Sequence, residues 1–191
     1  MSDVPEDLLG ELKELEASLR GEMRSQWDRD LPFEELLFDR WERAQRLGFG
    51  EGSSIYHNSY VMFEVTVGAN TWIGPFVLID GRGGVSIGDH CDISAGVHIY
   101  SHDTVRRALT GGRQPLESAP VRINSNTYIG SQVVITKGVT IGDHCVVGAN
   151  SLVNGDLEPF TIAMGTPARK RGEVEITDTG DVILHTDKSG K

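Results

Sequence analysis

Residues 126–153 read NTYIGSQVVITKGVTIGDHCVVGANSLV, and the aliphatic residues in this stretch keep a step of six. Ile129, Ile135, Ile141, Val147 and Val153 carry the step, and two residues before them stand the smaller or β-branched Thr127, Val133, Val139, Cys145 and Ser151. Ile129 and Ile141 are each followed directly by glycine. A helix cannot use this period, because residues six apart turn to different faces. A short fixed repeat sustained this long is the mark of a solenoid. On this reading the aliphatic residue fills the interior of a coil, and the glycine is expected to ease the turn beside it. Three hexads close one triangular coil.

Working outward, the same step governs Ile55, Val61, Val67, Ile73, Ile79 and Val85. It resumes after a shift of two residues in Ile87, Ile93 and Ile99, and again from Ile123. The shift follows a Gly81-Arg82-Gly83-Gly84 bulge. The expected fold class is therefore an all-β solenoid, a parallel β-helix built from hexapeptide repeats over residues 51–158, with short N-terminal helices. Residues 103–120 break the period with a Gly-Gly pair, two prolines and three arginines. They read as a loop thrown out from one corner of the prism, and insertions of that kind line binding faces.

The flanks differ. In residues 1–50, Leu8, Leu9, Leu12, Leu15 and Leu19 mark one face of a helix over 5–20, with Gly21 expected to end it. A second helix is expected over 32–47, started by Asp30 and Pro32 and stopped by Gly48. Both stripes read as docking surfaces. Residues 159–191 form a C-terminal extension, in which 173–185 suit either a hairpin or short capping strands.

The formal net charge of -10 argues against nucleic acid or an anionic membrane surface as the main partner. No secretory signal and no membrane span is legible, so the expected residence is cytoplasmic. Cys91 and Cys145 fall at equivalent repeat positions and read as buried small hydrophobes.

Three pieces carry a resemblance: VSIGDHCDISAGVHIY at 85–100, the long block at 126–153, and GTPAR at 165–169. Together with the interrupting loop, residues 50–170 resemble the bacterial hexapeptide-repeat O-acetyltransferases, which include galactoside, maltose, nodulation and O-antigen sugar acetyltransferases. The resemblance implies a left-handed coil and a homotrimer with active sites between subunits. It implies acetyl-CoA as co-substrate, a small-molecule sugar acceptor, and no required metal. It also implies a general base at His102, where Ile99-Tyr100-Ser101 leaves the last regular hexad. The chemistry agrees: a hydroxyl attacking a thioester must lose a proton, and a neutral imidazole suits that task near neutrality.

By the same resemblance Asp80 is a candidate for contact with the acceptor or the base, and Tyr100 and Arg113 are candidates for contact with the acceptor. Donor candidates are Tyr128, where relatives show a tryptophan, with Gly130, Ser131, Gly148 and Ala149 beside an extended pantetheine. Asn154 and Gly155 stand where this branch commonly has Thr-Lys, and Arg169 is a cationic candidate for the phosphates together with Lys137 and Arg171. His90 and His144 recur after Gly-Asp and read as turn residues, and His98 faces away from the coil interior. A zinc hydratase on the same fold needs three converging imidazoles, and a serine acetyltransferase carries a longer helical domain. The alternative to O-acetylation is N-acetylation of an amino sugar, free or nucleotide-linked.

Overall fold

Three columns of inward side chains organise the prism. The computed structural model describes residues 6–186. On the first face Ile55, Ile73, Ile93, Ile129, Val147 and Ala163 lie in parallel register. The second face stacks Val61, Ile79, Ile99, Ile135 and Val153. On the third face Val67, Ile87, Ile123 and Ile141 follow one another, and Leu157 closes the column. The isoleucines of these columns are almost wholly buried. The architecture is a left-handed parallel β-helix of about six turns. Cys91 and Cys145 lie inside it as free, buried thiols, and burial pushes both up from the usual thiol range.

The glycines after the inward aliphatics serve a different purpose from the one expected. Gly74, Gly88, Gly130 and Gly142 have ordinary negative φ, and each lies against the backbone of the next coil. A Cβ on Gly88 would fall 2.7 Å from the Ser125 nitrogen, and one on Gly142 would fall 2.4 Å from the Pro159 nitrogen. Coil stacking therefore requires them. The left-handed conformation falls two residues later, on Phe76, His90, Gln132 and His144, with φ of 53–60°. His90 and His144 are thus turn residues.

At the N-terminus, helix α1 (Glu6–Trp27) runs through Gly21 rather than ending there. One interior glycine costs a helix only about 1 kcal/mol, and the residues after it are helix-compatible. The expected helix over 32–47 is two helices, α2 (Phe33–Leu37) and α3 (Arg40–Arg46). Asp39 causes the break: its carboxylate accepts from the backbone N–H groups of Trp41 and Glu42, capping α3. Buried Ala44 and Phe49 then seal the first coil, while the Arg43 guanidinium donates to the carbonyls of Tyr56 and Ser59. Leu8, Leu9, Leu12 and Leu15 stay exposed in the single chain. At the other end, strand Arg169–Ile176 pairs antiparallel with Thr161–Met164 and with Val182–Thr186, so the extension is a hairpin that covers the last sheet edge.

The loop at 103–120 has its own structure. Strands His102–Asp103 and Glu117–Ser118 pair antiparallel at its base, and helix α4 (Val105–Leu109) lies between them. Lys137, from the following coil, clamps the base with contacts of 2.8 Å to Asp103 and 3.3 Å to Glu117. Its hydrogen bond holds the Asp103 carboxyl below the usual range, and the two carboxylates hold the Lys137 ammonium above its own. The depressed Asp103 contributes above its unfolded pKa and is lost as pH falls through the folded one. The raised Lys137 contributes below its unfolded pKa and is lost as pH rises through the folded one. The clamp is therefore intact across the neutral range.

Two outcomes follow. Gly88→Ala should destabilise by about 1–3 kcal/mol in chemical denaturation, as overpacking does, whereas His90→Gly should stay within about 1 kcal/mol of the parent. The reverse order would refute the stacking explanation. Hydrogen-exchange protection at 101–103 and 117–119 should hold steady from weakly acidic to neutral pH and drop in Lys137→Met.

Candidate active site

Two departures from the hexad occur at the same corner, between the second and third faces, in adjacent coils. The first is the bulge after Ile79, and the second is the loop after Ile99. Because Ile79 pairs with Ile99 and Asp80 with Tyr100, both departures begin in register. This brings Asp80 and His102, distant by 22 positions in the chain, to 2.9 Å between Oδ2 and Nδ1.

Asp80 is only 5% exposed. Its Oδ1 accepts from the Arg82 N–H at 3.1 Å, which turns Oδ2 toward the imidazole. His102 Nδ1 is buried and makes no well-aligned hydrogen bond, so the contact with Asp80 is at ion-pair distance but bent. Among the described residues Nε2 has no hydrogen-bond partner, and the ring borders a pocket of about 550 Å³. Tyr100, Val105, Ala108, Thr136 and Lys137 complete most of its wall. Tyr100 also holds His98, Oη to Nδ1, at 3.2 Å with the rings edge-on.

The structure thus brings Asp80, Tyr100 and His102 together. Arg113 sits on the returning limb of the loop, exposed, and does not border this pocket. The donor candidates lie elsewhere. Tyr128 points outward from the first face, opposite the His102 corner, and borders a groove of about 340 Å³ with Val146 and the apolar residues Val174, Ile176, Val182 and Leu184 of the C-terminal hairpin. Gly130-Ser131 and Gly148-Ala149 form successive levels of the corner between the first and second faces, joined by the Asn150 N–H to the Ser131 carbonyl. Stacking accounts for both glycines: a Cβ would meet the Ala149 nitrogen at 2.7 Å and the Met164 Cβ at 2.9 Å. Asn154 is exposed just after the last strand of the second face. Arg169 donates to the Ala168 carbonyl and borders a shallow hollow of about 280 Å³ beside Asp156 and Glu158.

Two site features escaped the sequence reading. Val105 and Ala108 of α4 give the pocket an apolar wall, and the Lys137 ammonium, one of the cationic candidates for the phosphates, is engaged by two carboxylates. The step of six stops at Ile99, so it said nothing of structure inside the loop. Among the described residues no group of three or more His, Cys, Asp or Glu is placed to hold a metal ion. No helix among them is long and apolar enough to cross a membrane.

Comparison with known proteins bears on the fold and the family. Residues 120–155 match the bacterial transferase hexapeptide (six repeats), and residues 64–101 match the hexapeptide repeat of succinyl-transferase. Galactoside O-acetyltransferase of Escherichia coli (strain K12) is 32% identical over 133 residues, covering 59% of this chain and 66% of that enzyme. A hexapeptide-repeat containing acetyltransferase from Vibrio cholerae superposes with a TM-score of 0.63 at 30% identity, covering 85% of this chain and 92% of that one. Its complex with acetyl coenzyme A also matches, with a TM-score of 0.54. AntD, an N-acyltransferase from Bacillus cereus, shares the fold at 24% identity and a TM-score of 0.56, covering 69% of this chain and 88% of that one. The chain belongs to the hexapeptide-repeat acetyltransferases, a family of acyl-group transferases.

Proposed function

We propose that this protein transfers an acetyl group from acetyl-CoA to a hydroxyl of a sugar or polysaccharide precursor, with His102 as general base. The observation that carries the reading is the buried carboxylate of Asp80 at 2.9 Å from His102 Nδ1. A carboxylate there favours the tautomer with its proton on Nδ1 and leaves a lone pair on Nε2. Nε2 then takes the proton of the attacking hydroxyl, and the imidazolium returns it to the departing sulfur. Acetyl-CoA supplies the activated acyl group as a thioester. A hydroxyl attacks a thioester well only as its proton is taken, so the Asp80–His102 pair suits oxygen as the acceptor atom.

The site is complete only in an assembly on this reading. His102 lies at the corner opposite the face that carries Tyr128, so one prism cannot present both to the same substrates. A neighbouring copy can, if its first face meets this corner. The second face supports such packing: Tyr60, Leu78, His98, Val134 and Leu152 form a column without carboxylate, lysine or arginine. The third face carries Thr66, Ser86, Arg122 and Thr140 instead. A contact between unlike surfaces that closes on itself makes a cyclic ring, and the ring proposed here is a trimer. The groove beside Tyr128, walled by apolar side chains, suits the uncharged pantetheine arm of the donor.

His102→Ala should lose turnover by about 10²–10⁴, the usual contribution of a general base, with donor binding nearly intact. His98→Ala should cost much less. Thiol release over a panel of sugars, amino sugars and nucleotide-linked sugars measures both. Retention of more than about a tenth of turnover in His102→Ala would remove the base from His102, and an N-acetylated product alone would overturn the O-acetyl reading. Light scattering should give three times the 20.9 kDa chain mass, and a fully active monomer would refute the shared site.

A further inference from the structure

We infer that Ser101 is a positioning residue that sets the contact between Asp80 and His102. The inference rests on the reading of His102 and Asp80 above. Ser101 lies between Tyr100 and His102 and is wholly buried. Its hydroxyl donates to the Asp80 carbonyl at 2.6 Å and accepts from the Gly83 N–H at 2.7 Å. Its backbone N–H also donates to the Asp80 carbonyl, at 3.1 Å, and its own carbonyl accepts from the Ala119 N–H at 2.9 Å. One residue thus ties together the start of the bulge, the middle of the bulge, and the exit of the loop.

A hydroxyl has one proton to give and can accept a bond in return. Ser101 uses both functions here, so its rotor is fixed. The carbonyl it holds belongs to the residue whose carboxylate faces His102. Gly83 fits the same arrangement, because a Cβ there would fall 2.5 Å from the Ser101 carbonyl oxygen. The bulge can therefore lie against Ser101 only with glycine at 83. Ser101 does not border the pocket and touches no reacting group. It acts through the placement of Asp80.

The readout is the titration of the His102 imidazole, followed by NMR in the intact protein without substrate. The groups around that imidazole are Asp80 on the adjoining coil, Tyr100 and Asp103 on its own strand segment, Glu117 across the loop base, and Lys137 on the following coil. Asp80→Asn removes the nearest charge and should lower the midpoint. Ser101→Ala should lower it by at least half as much. The Ser101→Ala, Asp80→Asn double variant should match Asp80→Asn alone, because Ser101 acts through Asp80. Ser101→Thr, which keeps the hydroxyl, should restore the parent midpoint. A purely structural role predicts lower melting temperatures with an unmoved midpoint. An unmoved midpoint in Ser101→Ala, or a further fall in the double variant, overturns the proposal. So does an unmoved midpoint in Asp80→Asn, since there is then no pair to position. Failure of the base reading is seen separately, as retained turnover in His102→Ala. If Ser101→Ala does not fold, Gly83→Ala tests the same junction from the other side and should lower the midpoint in the same direction; an unmoved midpoint there overturns the proposal.

Discussion

Adjacent coils are joined by parallel backbone hydrogen bonds at a spacing of about 4.8 Å, and every other feature of the prism accommodates that spacing. It places each inward aliphatic on top of its counterpart one coil earlier, so ten isoleucines, from Ile55 to Ile141, stack fully buried or nearly so. It also explains the repeat's smallest residues. Where the chain turns a corner, the backbone of the next coil comes too close for a Cβ, so Gly88 and Gly142 are required by proximity and not by torsion. The left-handed torsion is passed to His90, which is exposed, and to His144, which stacks on Phe160.

A regular solenoid of this kind offers uniform corners and no pocket. Chemistry enters where the regularity fails. The two failures, at the Gly81–Gly84 bulge and at the 103–120 loop, are stacked, because the strands before them are in register. The first withdraws a carboxylate from solvent, and the second lays an imidazole against it. The loop then closes a wall with α4 and fixes its base through Lys137. A register error of one residue between Ile79 and Ile99 would send Asp80 to the opposite side of the sheet. The precision of the pair is therefore inherited from the core.

The ends of the prism need protection that the repeat cannot give. At the first coil, Arg43 and Glu35 bind backbone groups of residues 56–59, taking the place of a preceding coil. At the last, the antiparallel hairpin satisfies the open edge and extends an apolar wall beside Tyr128. The exposed leucines of α1 and the uncharged column on the second face are surfaces of the single chain that favour burial against another.

By itself the sequence determined the solenoid, the identity of nearly all its core residues, the position of the loop, and His102 as the histidine at its mouth. A step of six is a local property, written in residues close together in the chain, so it is legible without coordinates. The ends of the helices were less so, since the break at Asp39 and the continuation through Gly21 turn on differences near 1 kcal/mol that cap geometry decides. The contact of Asp80 with His102, the clamp at Lys137 and the junction at Ser101 were decided only by the tertiary structure. Each joins residues from different coils. Which of them meet depends on how many residues every intervening bulge and loop inserts, and on the sheet register that absorbs those insertions.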